Sequence, residues 1–338
     1  MKRIAMLLLL SLLLPPMARA AKYAGEFLEI GVGARGVGMG GAMTAHADDP
    51  QSFYWNPAGM GYLSGAYASA MYADLWDGLA NYSVAGVALP ISGAVFAANY
   101  VRLGVPDIQE HPDYTQASNR VVNGDTLSIQ EYLLVTGAKP QGVFGANESA
   151  IFLTFAKLNR LTLDFGWSYF QFPVDFPFGV NLKIINQSLK GAKGSGIGAD
   201  FGTQLRLRMS DLFWEKWKAT FAYGFNWQDV TRTGVDWGEN NKDAIPSNFR
   251  QGFAYIQQLP GRNSRITVSY DGEKRWDYGH HFGVEYRFEN VLALRGGYWA
   301  GEWTAGAGLS VWRATVDYAY RSRELGTTHR VSVAFRLR

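Results

Sequence analysis

The chain of 338 residues predicts an all-β fold, a closed antiparallel transmembrane β-barrel. Three observations predict it: two-residue alternation of apolar and polar side chains, an N-terminal export signal, and a composition rich in aromatics and glycine. The final segment shows the alternation. Val331, Val333, Phe335 and Leu337 fall on one face, and Arg330, Ser332, Ala334 and Arg336 on the other. Ala314, Val316, Tyr318 and Tyr320 likewise oppose Arg313, Thr315, Asp317 and Arg321, and Phe221, Tyr223, Phe225 and Trp227 oppose Thr220, Ala222, Gly224 and Asn226. A soluble sandwich would bury such an apolar face on a second sheet. A membrane barrel turns it to lipid and keeps its charges inside.

The N-terminus chooses between them. Lys2 and Arg3 precede a run from Ile4 to Leu14 that is apolar but for Ser11, followed by Pro15, Pro16 and the small-residue site Ala18, Arg19, Ala20. Residues 1–20 read as a secretory signal peptide, with cleavage expected before Ala21. No later stretch is long and apolar enough for a spanning helix, and in lipid the other structure that satisfies every backbone group is a closed barrel. Aromatics make up 14% of the chain, glycines number 39, and charged residues are 18%, below the roughly 25% of soluble domains. The net charge of +3 gives no reason to expect nucleic acid as a partner. The absence of cysteine removes disulfide frameworks and thiol chemistry.

In chain order, residues 21–64 are glycine-rich without sustained alternation and read as a compact plug. Residues 65–338 read as the barrel wall. Strands are expected near 66–74, 81–89, 92–102, 128–138, 149–158, 161–171, 178–188, 196–209, 217–228, 248–257, 264–271, 279–288, 291–299, 303–311, 312–322 and 327–337. Counted back from a periplasmic C-terminus, the tight turns at Glu289, Asn290 and at Val311, Trp312 fall on the periplasmic side. The long loops 103–127 and 229–247 fall outside, as outer-membrane barrels place them.

The plug segment carries the most specific motif. Gly31, Gly33, Ala34, Arg35, Gly36, Gly38, Met39, Gly40, Gly41 and Ala42 lead to Asp48 and Asp49, then to Asn56, Pro57, Ala58, Gly59 and Met60. On these motifs the chain resembles the PorV/PorQ family of outer-membrane proteins, which is similar to the FadL-type transporter superfamily. The resemblance continues through Phe178 to Lys183, Asp200 to Gly202, Ile245 to Arg250, Leu292 to Tyr298, Asp317 to Tyr320 and Thr328 to Ser332. It implies about fourteen strands around an N-terminal hatch in the lumen. Residues 128–171 have room for about three strands where the family pattern has one, so sixteen strands or a projecting hairpin is the alternative. A terminal aromatic is also replaced by Leu337 and Arg338.

The residues support a plug independently of the family. Close-set glycines permit tight backbone approach, Asn56 and Pro57 signal a turn, and Asp48 and Asp49 are expected to pair with lumenal arginines. Gly31, Gly33 and Gly36 match the spacing of a dinucleotide fingerprint, but no strand of adequate length precedes them and no full helix follows. His280 and His281 are adjacent on a strand, so they point to opposite faces and do not chelate one ion together. Asp200, Glu285 and Asp317 share a lumenal face with Arg206, Arg208, Arg295, Arg313 and Arg336, which reads as a structural charge ladder rather than acid–base machinery. No catalytic, cofactor or metal residue is expected, and the chain reads as a non-enzyme.

For function, the resemblance implies an accessory of protein secretion, a type IX-like shuttle binding secretion-machinery proteins or cargo. The alternative, from the broader superfamily, is passive transport of fatty acids or other hydrophobic small molecules across the outer membrane. The acidic loops 103–127 and 229–247 favour the first. Outward Phe221, Phe225, Leu205 and Leu207 are expected to face lipid, and inward Thr220 and Gln204 to accept a charge easily.

Overall fold

Residues 25–337 are described by a computed structural model, except 113, 115, 165, 167–170, 213–215, 239–240, 261–262, 276 and 324–325. The expected signal peptide and Arg338 lie outside the described residues. Fourteen strands form one meander. They are β1 (Tyr67–Leu75), β2 (Ala80–Ile91), β3 (Ala94–Glu110), β4 (Gly142–Asp164), β5 (Gln171–Leu189), β6 (Ala192–Arg208) and β7 (Ala219–Gln228). The other half comprises β8 (Asn248–Gln258), β9 (Arg265–Lys274), β10 (Tyr278–Phe288), β11 (Leu292–Trp299), β12 (Glu302–Val311), β13 (Ala314–Arg323) and β14 (Gly326–Arg336). Each pairs antiparallel with the next, and β1 closes the ring on β14 with Tyr67 opposite Arg336 and Leu75 opposite Thr328. Closure joins the first strand to the last, so in the ring every strand has a partner on each side.

The burial pattern is the reverse of a soluble protein's. On β14 the apolar Val331 and Val333 are exposed, while Arg330 and Ser332 are buried. The same inversion holds on β10, where Phe282 and Val284 are exposed and His281 and Glu285 are buried. A sheet whose charges are sequestered and whose valines and phenylalanines face out suits a hydrocarbon surround. Phe221→Arg and Phe253→Arg, on the outward face, are therefore expected to cost about 2–4 kcal/mol near mid-membrane, and Thr220→Lys on the other face far less. Denaturant titration of refolding into vesicles measures this, and equal costs on both faces would contradict the assignment.

Three expected strands resolve differently. Segment 128–138 forms a helix, Ile129–Thr136, because Ser128 and Glu131 make a reciprocal capping box and Gly137 ends it in the left-handed region. Segments 149–158 and 161–171 belong to one long hairpin: β4 runs on unbroken past 158, and its pairing with β3 ends at Ala156, whereas its pairing with β5 continues to Asp164 opposite Gln171. The ring thus holds fourteen strands, not sixteen. Two further short strands, Gly234–Asp236 and Lys242–Ala244, add to the sheet outside the ring. They pair through Val235 and Asp236 with Gly196 and Ser195, covering the part of β6 that extends past the end of β7.

The connections 111–141 and 229–247 leave from one rim, here the loop rim. At the opposite, C-terminal rim, Glu289 and Asn290 both take positive φ, the tight two-residue turn that matches strand twist. Loop 103–127 is shorter than expected at its start, because β3 runs on to Glu110.

Residues 25–63 form the short helical turns Glu26–Glu29, Ala34–Gly38, Ser52–Trp55 and Pro57–Tyr62. Their hydrogen bonds reach β14 (Ala34 N to Ser332 Oγ, 3.2 Å), β9 (Thr44 N to Asp271 Oδ2, 2.9 Å) and β6 (Gln204 Nε2 to Ala47 O, 3.1 Å). Others reach β7 (Asn226 Nδ2 to Trp55 O, 2.8 Å), β5 (Asn181 Nδ2 to Phe53 O, 2.8 Å) and β12 (Thr304 Oγ1 to Gly38 O, 3.2 Å). Contacts on strands spread around a closed ring require the segment to lie within it. Gln204 is therefore not a permissive inward site: it is 1% exposed and donates to Thr44 O and Ala47 O.

Candidate functional site

The lumenal segment meets the wall backbone to backbone. A Cβ on Gly224 would stand 2.1 Å from Thr44 O, and one on Gly297 would stand 2.2 Å from the nitrogen of Gly40. Gly40 itself has φ +62 and Gly41 φ +77, the left-handed region that favours glycine. Met39, between Gly38 and Gly40, is fully buried. Gly33 and Gly36 lie against Gln51 and Trp55, where an added Cβ would fall 2.2 Å and 2.3 Å from side-chain atoms, so no space for a pyrophosphate adjoins them.

Asn56 and Pro57 organise the next turn. Asn56 is extended, and its Oδ1 accepts from Ala58 N at 3.1 Å, capping the Pro57–Tyr62 turn with proline at the first position. Its Nδ2 donates to Thr44 O at 2.8 Å and to Thr203 O on β6 at 3.0 Å. One side chain thereby ties two stretches of the segment to the wall. Gly59 packs so that a Cβ would be 2.3 Å from Ala47 O, and Ala58 is fully buried.

Two charge clusters flank this turn. In the first, Arg35 meets Asp48 at 2.6 Å, Asp49 at 3.0 Å and Glu285 at 3.4 Å. Glu285 continues to Arg295 at 2.7 Å, and Arg295 to Asp317 at 2.7 Å. Arg206 reaches Asp48 at 3.6 Å. Asp48 thus has one lumenal partner from the wall, and both aspartates share Arg35 of their own segment. Burial alone would raise the Asp48 carboxyl, but Arg35 and Arg206 outweigh it and hold it well below the usual carboxylate range. The Asp49 carboxyl is raised, burial outweighing Arg35. Burial pushes the nearby His46 imidazole down to about 3, so that ring is neutral at ordinary pH.

In the second cluster, Lys183 of β5 bridges Asp200 at 2.8 Å and Asp229 at the head of the second long loop. Arg275 joins Asp229, at 3.4 Å, to Glu29 at 3.2 Å. The expected ladder is therefore redistributed. Glu285, Asp317, Arg295 and Arg206 belong to the first network, and Asp200 takes the unanticipated Lys183. Arg208, Arg313 and Arg336 sit exposed at the C-terminal rim, because they lie at strand ends beyond the enclosed space. Lys183 was legible in principle, since alternation from Asn181 places it on the inward face. His281 is buried, hydrogen-bonded to Gly40 O at 3.0 Å, whereas His280 is exposed.

Cavities lie on both sides of the segment. Toward the loop rim a chamber of about 560 Å³ is lined by Phe27, Leu28, Ile30, Trp76 and Trp299 together with Glu29, Glu148, Arg250, Arg275 and Arg321. Toward the C-terminal rim a space of about 150 Å³ adjoins Arg35, Asp48, Asp49, Arg287 and Asp317. The larger chamber combines aromatic walls with paired charges, so it suits a solute with an apolar body and a polar end. Arg321 stacks over Trp299, 4.0 Å from the ring centre, so part of the charged lining is itself held flat on apolar surface.

No protein-family profile matches the chain, and no curated protein matches it. Solved structures do resemble it. The toluene transporter TbuX of Ralstonia pickettii aligns at 11% identity over 91% of this chain and 99% of its own, with a TM-score of 0.49. A Pseudomonas aeruginosa FadL homologue aligns at 10% identity over 91% and 98%, with a TM-score of 0.46. The deltaS2 mutant of the TodX monoaromatic hydrocarbon channel aligns at 10% identity over 90% and 96%, with a TM-score of 0.50. At this identity the likeness is one of fold alone, a closed antiparallel barrel of fourteen strands shared with the TodX channel.

Proposed function

We propose that the chain is an outer-membrane barrel through which hydrophobic small molecules pass by diffusion, with residues 21–64 as its hatch and residues 65–338 as its wall. The observation that carries this reading is the pair of chambers separated by the lumenal segment inside a wall with an apolar exterior. The segment is held by hydrogen bonds and ion pairs to the wall and by an apolar cluster in which Phe53 meets Phe152 and Trp55 meets Trp299, so passage requires both kinds of contact to yield. Export by the expected signal peptide and solvation by outer-membrane lipid accord with it. No step needs a cofactor or catalytic residue.

The loop rim supports small apolar solutes over cargo. The first long connection is not uniformly hydrophilic: its helix leaves Leu134, 85% exposed, and Val135 uncovered. The shared fold includes a channel named for monoaromatic hydrocarbons, which makes toluene a suitable probe beside a long-chain alkanoate. The PorV/PorQ-like secretion role rests on the ordered motifs and on the acidic residues of the second loop.

The test compares cells lacking the chain, cells complemented with it, and cells carrying a deletion of residues 236–242, which spares the buried Asp229 and Thr233. Accumulation of labelled alkanoate and toluene is expected to fall without the chain and to recover on complementation, with secreted proteins released normally in every strain. Unchanged accumulation together with cargo retained at the surface of the deletion strain would overturn the transport reading in favour of the secretion accessory.

A further inference from the structure

The geometry points to a binding site for one anionic glycerophospholipid on the outer wall at β6–β9, with its acyl chain in an aromatic groove and its phosphate at Lys216 and Lys218. It rests on the membrane placement above, and is independent of what crosses the lumen. The groove arises from two rows of outward side chains. In one row Tyr223 lies opposite Phe253, and Phe253 opposite Tyr270. In the next row toward the C-terminal rim, Phe221 lies opposite Tyr255, and Tyr255 opposite Val268.

The tyrosines of the two rows lean apart. Tyr223 reaches Gln251 at 3.5 Å and Tyr270 reaches His280 at 2.9 Å, both toward the loop rim. Tyr255 donates to Gln257 at 2.6 Å, toward the C-terminal rim. Each hydroxyl seeks a polar partner away from the hydrocarbon zone, and the rings diverge as a result. Between them opens a groove of about 600 Å³ lined almost wholly by apolar atoms, with Leu205 and Leu207 at one side and Phe282 at the other. Among buried hydrocarbon surroundings an apolar chain is the occupant such a lining accepts.

The charge lies one step below. A second cavity at the C-terminal rim is formed by Lys216, Lys218, Gln257, Gln258 and Asn263. Gln257 is two residues along β8 from Tyr255, about 7 Å, so the polar cavity continues the groove. Both lysines are exposed and enter no ion pair among the described residues. Trp217 stands between them and packs edge-on to Phe221 with ring centres 6.2 Å apart, where an interfacial indole belongs. Two ammonium groups beside the amides of Gln258 and Asn263 fit a phosphodiester and a hydroxylated headgroup, the Gln257 amide being engaged with Lys218 O and Gln258 O. A zwitterionic headgroup would bring its own cation against them.

The whole barrel in detergent is mixed with phosphatidylglycerol, phosphatidylcholine or lipid A, and retained lipid is read by native mass spectrometry. Phosphatidylglycerol is expected to be retained about tenfold more than phosphatidylcholine. K216Q/K218Q is expected to bring it down to the phosphatidylcholine level, while K242Q, at the loop rim, leaves it unchanged. A photoreactive acyl chain on phosphatidylglycerol is expected to label residues 217–223 and 253–257. Equal retention of the two phospholipids, retention indifferent to K216Q/K218Q, labelling elsewhere on the wall, or preference for lipid A would each overturn the assignment.

Discussion

Arg35→Met is expected to release the lumenal segment from the wall at a cost of about 3–5 kcal/mol. Arg35 is the one cation that Asp48, Asp49 and Glu285 share, and its side chain is 7% exposed. Removing it leaves Asp49 without an ion pair among the described residues and Asp48 with Arg206 alone, while Glu285 keeps Arg287 and Arg295. Charges that lose a partner in low dielectric are far costlier than a surface pair, so Arg160→Met, whose side chain is 73% exposed, is the control expected to change little. Protease nicking within 25–63 and ion conductance in planar bilayers should both rise in Arg35→Met and not in the control. The defect carries a pH sign. Without the guanidinium the Asp48 and Asp49 carboxyls take up protons at higher pH in the folded barrel than in the unfolded chain. Stability then falls as pH rises through that range, so the variant is worst at neutral pH and partly recovers in acid. A defect that grew on acidification would contradict this account of the cluster.

Lys183→Met should be comparably severe and act elsewhere. Lys183 is 2% exposed and lies between Asp200 on β6 and Asp229, whose backbone also donates to Asp200 at 2.9 Å. Burial alone would raise the Asp229 carboxyl, but Lys183 and Arg275 outweigh it and keep it low. With the ammonium gone, among the described residues Asp200 has no cation and Asp229 retains Arg275 alone, at an expected cost of about 3–5 kcal/mol. The second long loop starts at Asp229, so its protease sensitivity should increase while the segment 25–63 stays protected. Adding Asp200→Leu should recover part of the loss, because an apolar pair avoids the stranded charge. Additive damage in the double variant would show that Asp200 and Lys183 do not act as a pair.

Much of the architecture is legible in the chain because a strand writes its two faces into alternate residues. Val331 and Val333 against Arg330 and Ser332 announce a wall with unlike sides, and fourteen of the strands follow from that rhythm. The helix Ile129–Thr136 was signalled too, by Ser128 and Glu131 at capping-box spacing. An eight-residue segment whose apolar stretch is Tyr132–Val135 suits strand or helix alike, and there the capping residues, not the periodicity, decide. The reach of the β4–β5 hairpin is not so written, since a strand that outruns its neighbour on one side has the same residue pattern as one that does not.

The motif residues stand in the same position. Asn56 followed by Pro57 specifies a capped turn from local chemistry alone, and the structure has that turn. That Asn56 also donates to Thr203, and that Ala34 meets Ser332 across 298 positions of sequence, is decided only when the ring closes. Alternation thus fixed which residues face inward, including Lys183, Asp200 and Glu285. Which inward charge meets which was left to the tertiary structure, because period two records a side chain's face and carries no information on its opposite number across the lumen.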